Sequence, residues 1–209
     1  RELDGSIKET TYGESIKRSK KLANALSKLG INLHDRVATI AWNNSRHFET
    51  YFGVSGMGAV LHTLNPRYSP AQLVYILNHA EDKVLIIDPT FIPLVEGVQD
   101  QLNFVETIII AAEKSSIPDN SLNNSCSYDD LLEQESSEYQ WPDLSEDTSS
   151  ALCYTSGTTG NPKGVLYSHR STILHAISIA GTMGFESSSA VLPVVPMFHV
   201  NAWGVPYSA

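Results

Sequence analysis

Short apolar runs alternate with helix-like segments along most of this chain of 209 residues, and no other feature restricts its fold as strongly. The runs are rich in β-branched residues and are bounded by polar turn residues, as buried strands are. The predicted strands are RVATIAW (36–42), AVLHTLN (59–65), KVLIID (83–88), VETIIIA (105–111), SALCYTS (150–156), GVLYSH (164–169) and AVLPVVP (190–196). Because helical segments separate these runs, we expect an α/β fold in which parallel or mixed sheets are sandwiched by helices.

Helix signals lie between most of the predicted strands. Thr11 and Glu14 have the spacing of a capping box, and Gly30 is placed to end the helix that they open. Ser69 and Pro70 supply another helix start. The predicted helices cover about 11–30, 44–58, 69–80, 91–102, 129–135 and 170–183. Between positions 115 and 127, five serines, three asparagines and a proline predict an exposed excursion.

The charge balance excludes one class of partner. The chain has 14 basic and 23 acidic residues and a formal net charge of −9, so we expect no binding to nucleic acid. Its composition, 42% hydrophobic and 18% charged, is that of a globular protein with room for one large domain or two small ones. The one visible cluster of basic residues in the sequence lies on a predicted helix and is expected to form its solvated face: Lys17, Arg18, Lys20 and Lys21.

Two further features concern metal sites and membranes. Cys126 and Cys153 have neither a C-x-x-C spacing nor a histidine at metal-ligand spacing, so we expect no zinc site and no disulfide, and a reducing cytoplasm as the compartment. Residues 187–209 contain no charged side chain, but three prolines in that stretch would interrupt a membrane-spanning helix. We therefore predict no transmembrane segment and an interior position that borders an apolar ligand.

The segment YTSGTTGNPKG, residues 154–164, combines glycines with hydroxyl side chains and one lysine between two predicted strands. Small consecutive residues let backbone N–H groups converge on an anion, and Lys163 adds a positive charge, so phosphate is the natural ligand. By composition alone, such a segment is more often a solvated turn. Its order differs from the Walker A loop at Pro162 and at Gly164, and the GVSGMG segment (53–58) follows a predicted helix instead of the strand that a dinucleotide fingerprint requires.

Taken in order, YTSGTTGNPKG resembles the phosphate loop of the AMP-binding superfamily of adenylate-forming enzymes, which includes acyl-CoA synthetases, luciferases and peptide-synthetase adenylation domains. Other segments resemble that family in the expected order: TTYGES, GMGAVLHTLNPRYSPAQLVYILNHAEDKVLIID and VVPMFHVNAWG. The last is most similar to medium- and long-chain fatty acyl-CoA synthetases. The resemblance covers essentially the whole chain, whereas the chain covers less than half of a typical member, so we expect a fragment truncated at both ends.

The resemblance implies roles for particular residues. Lys163 and His199 are the implied catalytic residues. His199, near the carboxylate and α-phosphate, and Trp203, which gates the acyl tunnel, are the implied substrate-binding residues. Thr155 is the implied magnesium contact. The implied nucleotide-binding residues are Thr155, Ser156, Gly157, Thr158, Thr159, Gly160 and Lys163. Without the resemblance, His199 and Trp203 would be more typical of core side chains, and Lys163 of a solvated lysine.

The implied parent enzyme is a fatty acid:CoA ligase that uses ATP, Mg²⁺ and CoA. Residues 1–209 would form part of its large N-terminal AMP-binding domain, without the later blocks that bind adenine and ribose and without the small C-terminal domain. We therefore expect the chain alone to be incompetent for turnover. An aryl or short-chain acid ligase and a non-catalytic nucleotide-binding module remain as alternatives. An apolar surface centred on residues 194–209 is expected to make the fragment self-associate, and peripheral contact with a membrane remains open.

Overall fold

The computed structural model describes residues 5, 7–155 and 161–208. Its helices are α1 (Tyr12–Lys28), α2 (Ser45–Gly56), α3 (Pro70–Ala80), α4 (Ile92–Glu96), α5 (Tyr128–Glu133), α6 (His169–Met183) and α7 (Val205–Ser208). Its strands are β1 (Arg36–Ile40), β2 (Val60–Thr63), β3 (Asp82–Ile87), β4 (Thr107–Ile110), β5 (Ser125–Ser127), β6 (Ser149–Thr155) and β7 (Lys163–Ser168). None of the helices in these ranges has the length and apolar character needed to cross a membrane.

The seven described strands form one mixed sheet in the order β5-β4-β3-β1-β2-β6-β7. Every neighbouring pair from β5 to β6 is parallel, and only β6 and β7 pair in the antiparallel direction. The carboxyl ends of β1, β2, β3 and β6 therefore meet at one edge of the sheet. In open α/β sheets this edge is where ligands bind.

Helices cover both faces of the sheet, as the alternation of segments predicts. Along β1, Val37 joins a core that contains residues of α1, α2 and α5, whereas Ala38 joins a second core that contains residues of α3 and α4. Ile86 and Ile87 of β3 divide in the same way. Successive residues of a strand point to opposite faces, so a strand buried on both sides needs a continuous apolar run.

The predicted helix starts are confirmed by side-chain caps. Thr11 accepts a hydrogen bond from the Glu14 backbone N–H at 3.1 Å, and α1 begins at the next residue after Thr11. Ser69 and Gln72 form a complete capping box at the start of α3, with Pro70 in its first turn. Each cap satisfies backbone groups that a helix end otherwise leaves without partners.

The predicted strand at 190–196 is wrong, because that segment has no regular structure. Its two prolines have no N–H to donate to a sheet. The Asn43 side chain supplies hydrogen bonds to the segment instead. Its amide N–H donates to the carbonyls of Pro193 (3.1 Å) and Val195 (3.3 Å), and its carbonyl accepts from the Met197 N–H (2.6 Å). The apolar run is thus held by one side chain and not by a neighbouring strand.

Two other boundaries differ from the prediction. The helix predicted over 91–102 is a short 3₁₀ turn at Pro89–Phe91, then α4, which ends at Glu96 and is followed by Gly97, and then a second 3₁₀ turn at Gln99–Gln101. Glycine is a poor helix former and favours this interruption. The predicted excursion at 115–127 ends in β5, which extends the sheet by pairing with β4. Pairing at an open sheet edge outweighs the weak strand propensity of SCS.

Arg18 does not belong to a solvated face, which corrects the interpretation of the basic group on α1. Its guanidinium contacts Glu49 of α2 at 2.7 Å and Asp129 of α5 at 2.6 Å. Arg46 binds the other oxygen of Asp129 at 2.6 Å, and the Tyr128 hydroxyl donates to Glu49 at 2.9 Å. We call these five residues the Arg18 cluster. It joins three helices on one face of the sheet.

Burial and ion pairing shift the pKa values of the two carboxylates of the Arg18 cluster in opposite directions. Burial raises the pKa of Glu49, although Arg18 opposes the shift. Burial alone would also raise the pKa of Asp129, but hydrogen bonds from Arg46 and Arg18 hold that pKa below its usual value. Asp129 is therefore a well-compensated anion, whereas Glu49, only 3% exposed, depends on Arg18 for its charge.

Candidate active site

The phosphate-loop segment forms the connection of the β6–β7 hairpin. Thr155, the last residue of β6, pairs with Lys163, the first residue of β7. Because β6 runs parallel to β2, this connection leaves the sheet at the edge where the other parallel strands end. The predicted nucleotide-binding residues between the two strands lie outside the described residues: Ser156, Gly157, Thr158, Thr159 and Gly160.

Thr155 and Lys163 stand at the base of this connection with exposed side chains. The Thr155 hydroxyl approaches the Lys163 backbone carbonyl at 3.5 Å, which is a long hydrogen bond. Within the described ranges, the Lys163 ammonium makes no hydrogen bond or ion pair. A hydroxyl oxygen and a positive charge are therefore presented together at the mouth of the loop.

The segment that contains His199 and Trp203 lies at the same edge of the sheet. Asn201 accepts a hydrogen bond from the hydroxyl of Thr63, the last residue of β2, at 3.2 Å, and a weak one from the Cys153 thiol at 3.5 Å. Burial raises the pKa of Cys153, so this thiol stays protonated and acts as a donor. Contacts to β2 and β6 thus hold the His199 segment beside the hairpin.

The chain at this point makes a left-handed turn that no sequence pattern indicated. Residues 200, 201, 202 and 203 have φ values of 48°, 49°, 47° and 56°, although none of them is glycine. Such residues cost roughly 1–2 kcal/mol each in this conformation, so surrounding contacts must hold the turn. His175 of α6 supplies one such contact through its Nε2, which donates to the Trp203 carbonyl at 3.0 Å.

Neither His199 nor Trp203 is a core side chain. Met197 and Phe198 are buried, but His199, which follows them, is exposed, and 58% of Trp203 is exposed. Within this chain, therefore, neither side chain is packed in the interior. Both are available to a ligand at this edge of the sheet.

A cavity of about 380 Å³ opens beside the left-handed turn. Its walls combine aromatic rings with small and apolar groups, a lining that suits a largely apolar ligand. Among its lining residues are Tyr167, Thr172, His175, Trp203, Gly204 and Tyr207. Glycine suits position 204, because φ is 72° there and a Cβ would lie 2.8 Å from the His175 ring.

Several positioning residues of this region escaped sequence reasoning. Asn43 and Thr63 anchor the 193–201 segment, and His175 anchors the turn at Trp203. All of these contacts join residues far apart in the chain, and isolated polar residues carry no local signal of such contacts. The described residues contain no group of three or more histidine, cysteine or carboxylate side chains that could hold a metal ion.

Known proteins resemble this chain along nearly its whole length. The model of the family "AMP-binding enzyme" matches residues 2–209. The chain is 50% identical to 3-methylmercaptopropionyl-CoA ligase of Ruegeria pomeroyi over 98% of its length and 38% of that protein. It is 49% identical to medium-chain-fatty-acid–CoA ligase of Ectopseudomonas oleovorans over 100% of its length and 38% of that protein.

The fold also recurs among solved structures. A long-chain-fatty-acid-CoA ligase from Archaeoglobus fulgidus superimposes with a TM-score of 0.83, covering 97% of this chain and 38% of that one at 22% identity. The chain thus spans well under half the length of the curated relatives that it matches. Because the family model covers almost every residue, this chain belongs to the AMP-binding enzyme family.

Proposed function

We propose that the full-length protein activates a fatty acid with ATP and transfers the acyl group to CoA. The observation that carries this proposal is that the base of the phosphate loop and the exposed His199 segment lie at one sheet edge, and that an apolar cavity opens beside Trp203 in that same segment. A positively charged loop base together with an apolar cavity suits a substrate that has a carboxylate at one end and a hydrocarbon chain at the other. The relatives named above, which are CoA ligases, support the same reaction class.

The reaction explains why such a site needs positive charge. A carboxylate oxygen attacks the α-phosphorus of ATP, pyrophosphate leaves, and the product is an acyl-adenylate. The sulfur of CoA then attacks the acyl carbon, the thiol proton is lost, and AMP leaves. The first step brings a carboxylate against a triphosphate, so positioning and neutralisation of charge supply much of the catalysis.

The residue roles in this proposal follow the family resemblance. Lys163, Thr158, Thr159 and Gly160 bind the β- and γ-phosphates, and Thr155 or Ser156 contacts Mg²⁺ or the α-phosphate. His199 contacts the carboxylate and α-phosphate. The exposed hydroxyl of Thr155 offers one oxygen ligand to Mg²⁺, which takes its other ligands mostly from phosphate and water. When bound, that ion neutralises phosphate charge.

The chain itself is proposed to be one part of the large N-terminal domain of the parent enzyme. On this proposal the remaining part supplies the adenine and ribose contacts and a small C-terminal domain, so residues 1–209 alone do not turn over substrate. We propose the cytoplasm as the compartment, since Cys126 and Cys153 are both free. We also propose that the parent enzyme contacts the membrane surface, because its fatty-acid substrate partitions into lipid.

The decisive experiment is acid-dependent exchange of labelled pyrophosphate into ATP by the full-length protein. We expect exchange to require a fatty acid and to be fastest with a medium or long chain. Faster exchange with a short or aryl acid would favour the alternative ligase. The name of the 3-methylmercaptopropionyl-CoA ligase relative suggests 3-methylmercaptopropionate as one acid to test. Binding of ATP without exchange for any acid would favour the non-catalytic module.

We also propose that the 209-residue chain self-associates. Large apolar side chains are exposed on β7, α6 and the segment after it, including Leu166 (59%), Ile177 (65%), Leu192 (83%) and Val194 (81%). Extensive exposed apolar surface is unusual on stable monomers. The exposed apolar side chains thus include residues of β7 and α6 and begin earlier than the 194–209 stretch that the sequence indicated.

Light scattering tests this prediction directly. We expect the 209-residue chain to form dimers or larger species and the variant Ile177→Glu to shift them toward monomer. Ile16 of α1, 51% exposed, provides a matched control, because Ile16→Glu changes a similar side chain outside β7, α6 and the segment after it. A strictly monomeric unmodified chain would contradict the prediction.

A further inference from the structure

Tyr154 lies in β6 one residue before Thr155, where the phosphate-loop connection begins, and several side chains hold it there. It is the penultimate residue of β6 and pairs with Gly164 of β7, one step inside the Thr155–Lys163 pair. Its side chain is partly buried. Any shift of Tyr154 along or across the sheet would therefore move Thr155 and, through the pairing, Lys163.

Residues at the two ends of α3 hold Tyr154 by two hydrogen bonds. The hydroxyl of Tyr68, just before the α3 cap, donates to the Tyr154 backbone carbonyl at 3.0 Å. The hydroxyl of Tyr154 lies 2.6 Å from Nδ1 of His79, in the last turn of α3. The α3 helix and the residue just before its cap therefore restrain both the main chain and the far end of the side chain.

The ring of Tyr154 is confined on both sides. His62 packs against it with ring centroids 5.2 Å apart, and His62 is itself bonded to Asp82 at 2.7 Å with both side chains fully buried. Across the hairpin, a Cβ on Gly164 would lie 3.2 Å from the Tyr154 ring. Gly164 therefore allows a close approach that a larger residue would disturb, and the ring has little freedom to turn.

The phenol of Tyr154 keeps its proton in this bond. Burial, with a contribution from Asp82, raises the pKa of Tyr154 to about 12, so the phenol stays protonated near neutral pH. It therefore bonds to Nδ1 of His79 as a neutral hydroxyl, and the tautomer of the imidazole sets which of the two atoms donates. The ring of Tyr75 stacks on His79 at 5.3 Å and holds the imidazole in place for this bond.

We propose that Tyr154 is a positioning residue for nucleotide binding: its attachment to Tyr68 and His79 sets where Thr155 and Lys163 stand at the base of the phosphate loop. The inference rests on the proposed function, because it assumes that this loop binds ATP. It assigns to α3 a role in ATP affinity, although none of its residues belongs to the predicted nucleotide contacts. A side chain that only stabilised the sheet would have no selective effect on ATP.

The test uses the full-length protein with Tyr154→Phe, which keeps the ring and removes the bond to His79. We expect the KM for ATP in pyrophosphate exchange and the Kd for ATP from calorimetry to rise about two- to tenfold, the range for loss of one hydrogen bond. The KM for the fatty acid should stay unchanged. Tyr75→Phe is the matched control, since the Tyr75 hydroxyl has no hydrogen-bond partner among the described residues.

A double-variant cycle makes the test specific. His79→Phe breaks the same bond from the other side, so the double variant Tyr154→Phe, His79→Phe should bind ATP no more weakly than either single variant. Equal ATP constants for Tyr154→Phe and the unmodified protein would overturn the inference, whatever the melting temperature. Normal ATP binding without exchange would refute the ligase proposal alone, and absence of ATP binding would refute both.

Discussion

Replacing Lys163 with alanine in the full-length protein should lower acid-dependent pyrophosphate exchange by about tenfold to a hundredfold, the value of one hydrogen bond to a charged group. The structure presents this ammonium at the mouth of the hairpin, with its side chain exposed and with no partner in the described part of the chain. Its charge is thus free to meet a phosphate. The loss should appear in adenylation and leave the fold intact.

Two further variants serve as controls for Lys163→Ala. Lys163→Arg keeps the charge and should retain more exchange than the alanine variant, while Lys17→Ala removes an exposed lysine on α1 and should change nothing. Circular dichroism and melting temperature report whether the fold is preserved. Unchanged exchange in Lys163→Ala would mean that this residue is only a solvated lysine after a turn.

Replacing Arg18 with methionine should lower the free energy of unfolding by about 3–5 kcal/mol, because breaking a buried ion pair leaves its partner uncompensated. Glu49 is the partner left uncompensated, since its side chain is only 3% exposed and its carboxylate bonds to Arg18 at 2.7 Å. Asp129 keeps Arg46 at 2.6 Å and is affected less. Urea unfolding of the full-length protein, followed at the first transition, measures the change.

The charge effect can be separated from the loss of packing. Lys17→Met at the exposed neighbouring position should change stability by less than about 0.5 kcal/mol. The double variant Arg18→Met, Glu49→Met should recover much of the loss, because apolar pairs can replace buried ion pairs at little cost. A small effect of Arg18→Met, similar to that of Lys17→Met, would show that the Arg18 cluster adds nothing to stability.

Most of the regular elements were predictable because their signals are local. The run at 36–42 became β1, and the Thr11 and Ser69 caps start the helices that they indicate. The apolar run at 190–196 has the same composition as a strand, yet it joins no sheet. Propensity describes what a segment can form, whereas pairing requires an available edge and free N–H groups.

Some features of the candidate site were also predictable from local sequence, and others were not. The order of residues 154–164 indicated a phosphate loop, and the hairpin that carries it agrees with the two strands predicted around it. The roles of Lys163, His199 and Trp203 remain predictions. The left-handed turn at 200–203 had no signal, because residues that adopt positive φ without being glycine do so under contacts from elsewhere in the fold.

The sequence by itself determined the α/β class, the positions of most strands and helices, and which segment resembles a phosphate loop. Only the tertiary structure decided that Arg18 is largely covered while its neighbour Lys17 is exposed, and that Tyr154 is held by Tyr68 before α3 and by His79 in its last turn. The physical reason is the range of the interactions. Periodicity and caps act over a few neighbouring residues, whereas Arg18 meets Asp129 at a separation of 111 positions, and that contact exists only once the sheet has brought its helices together.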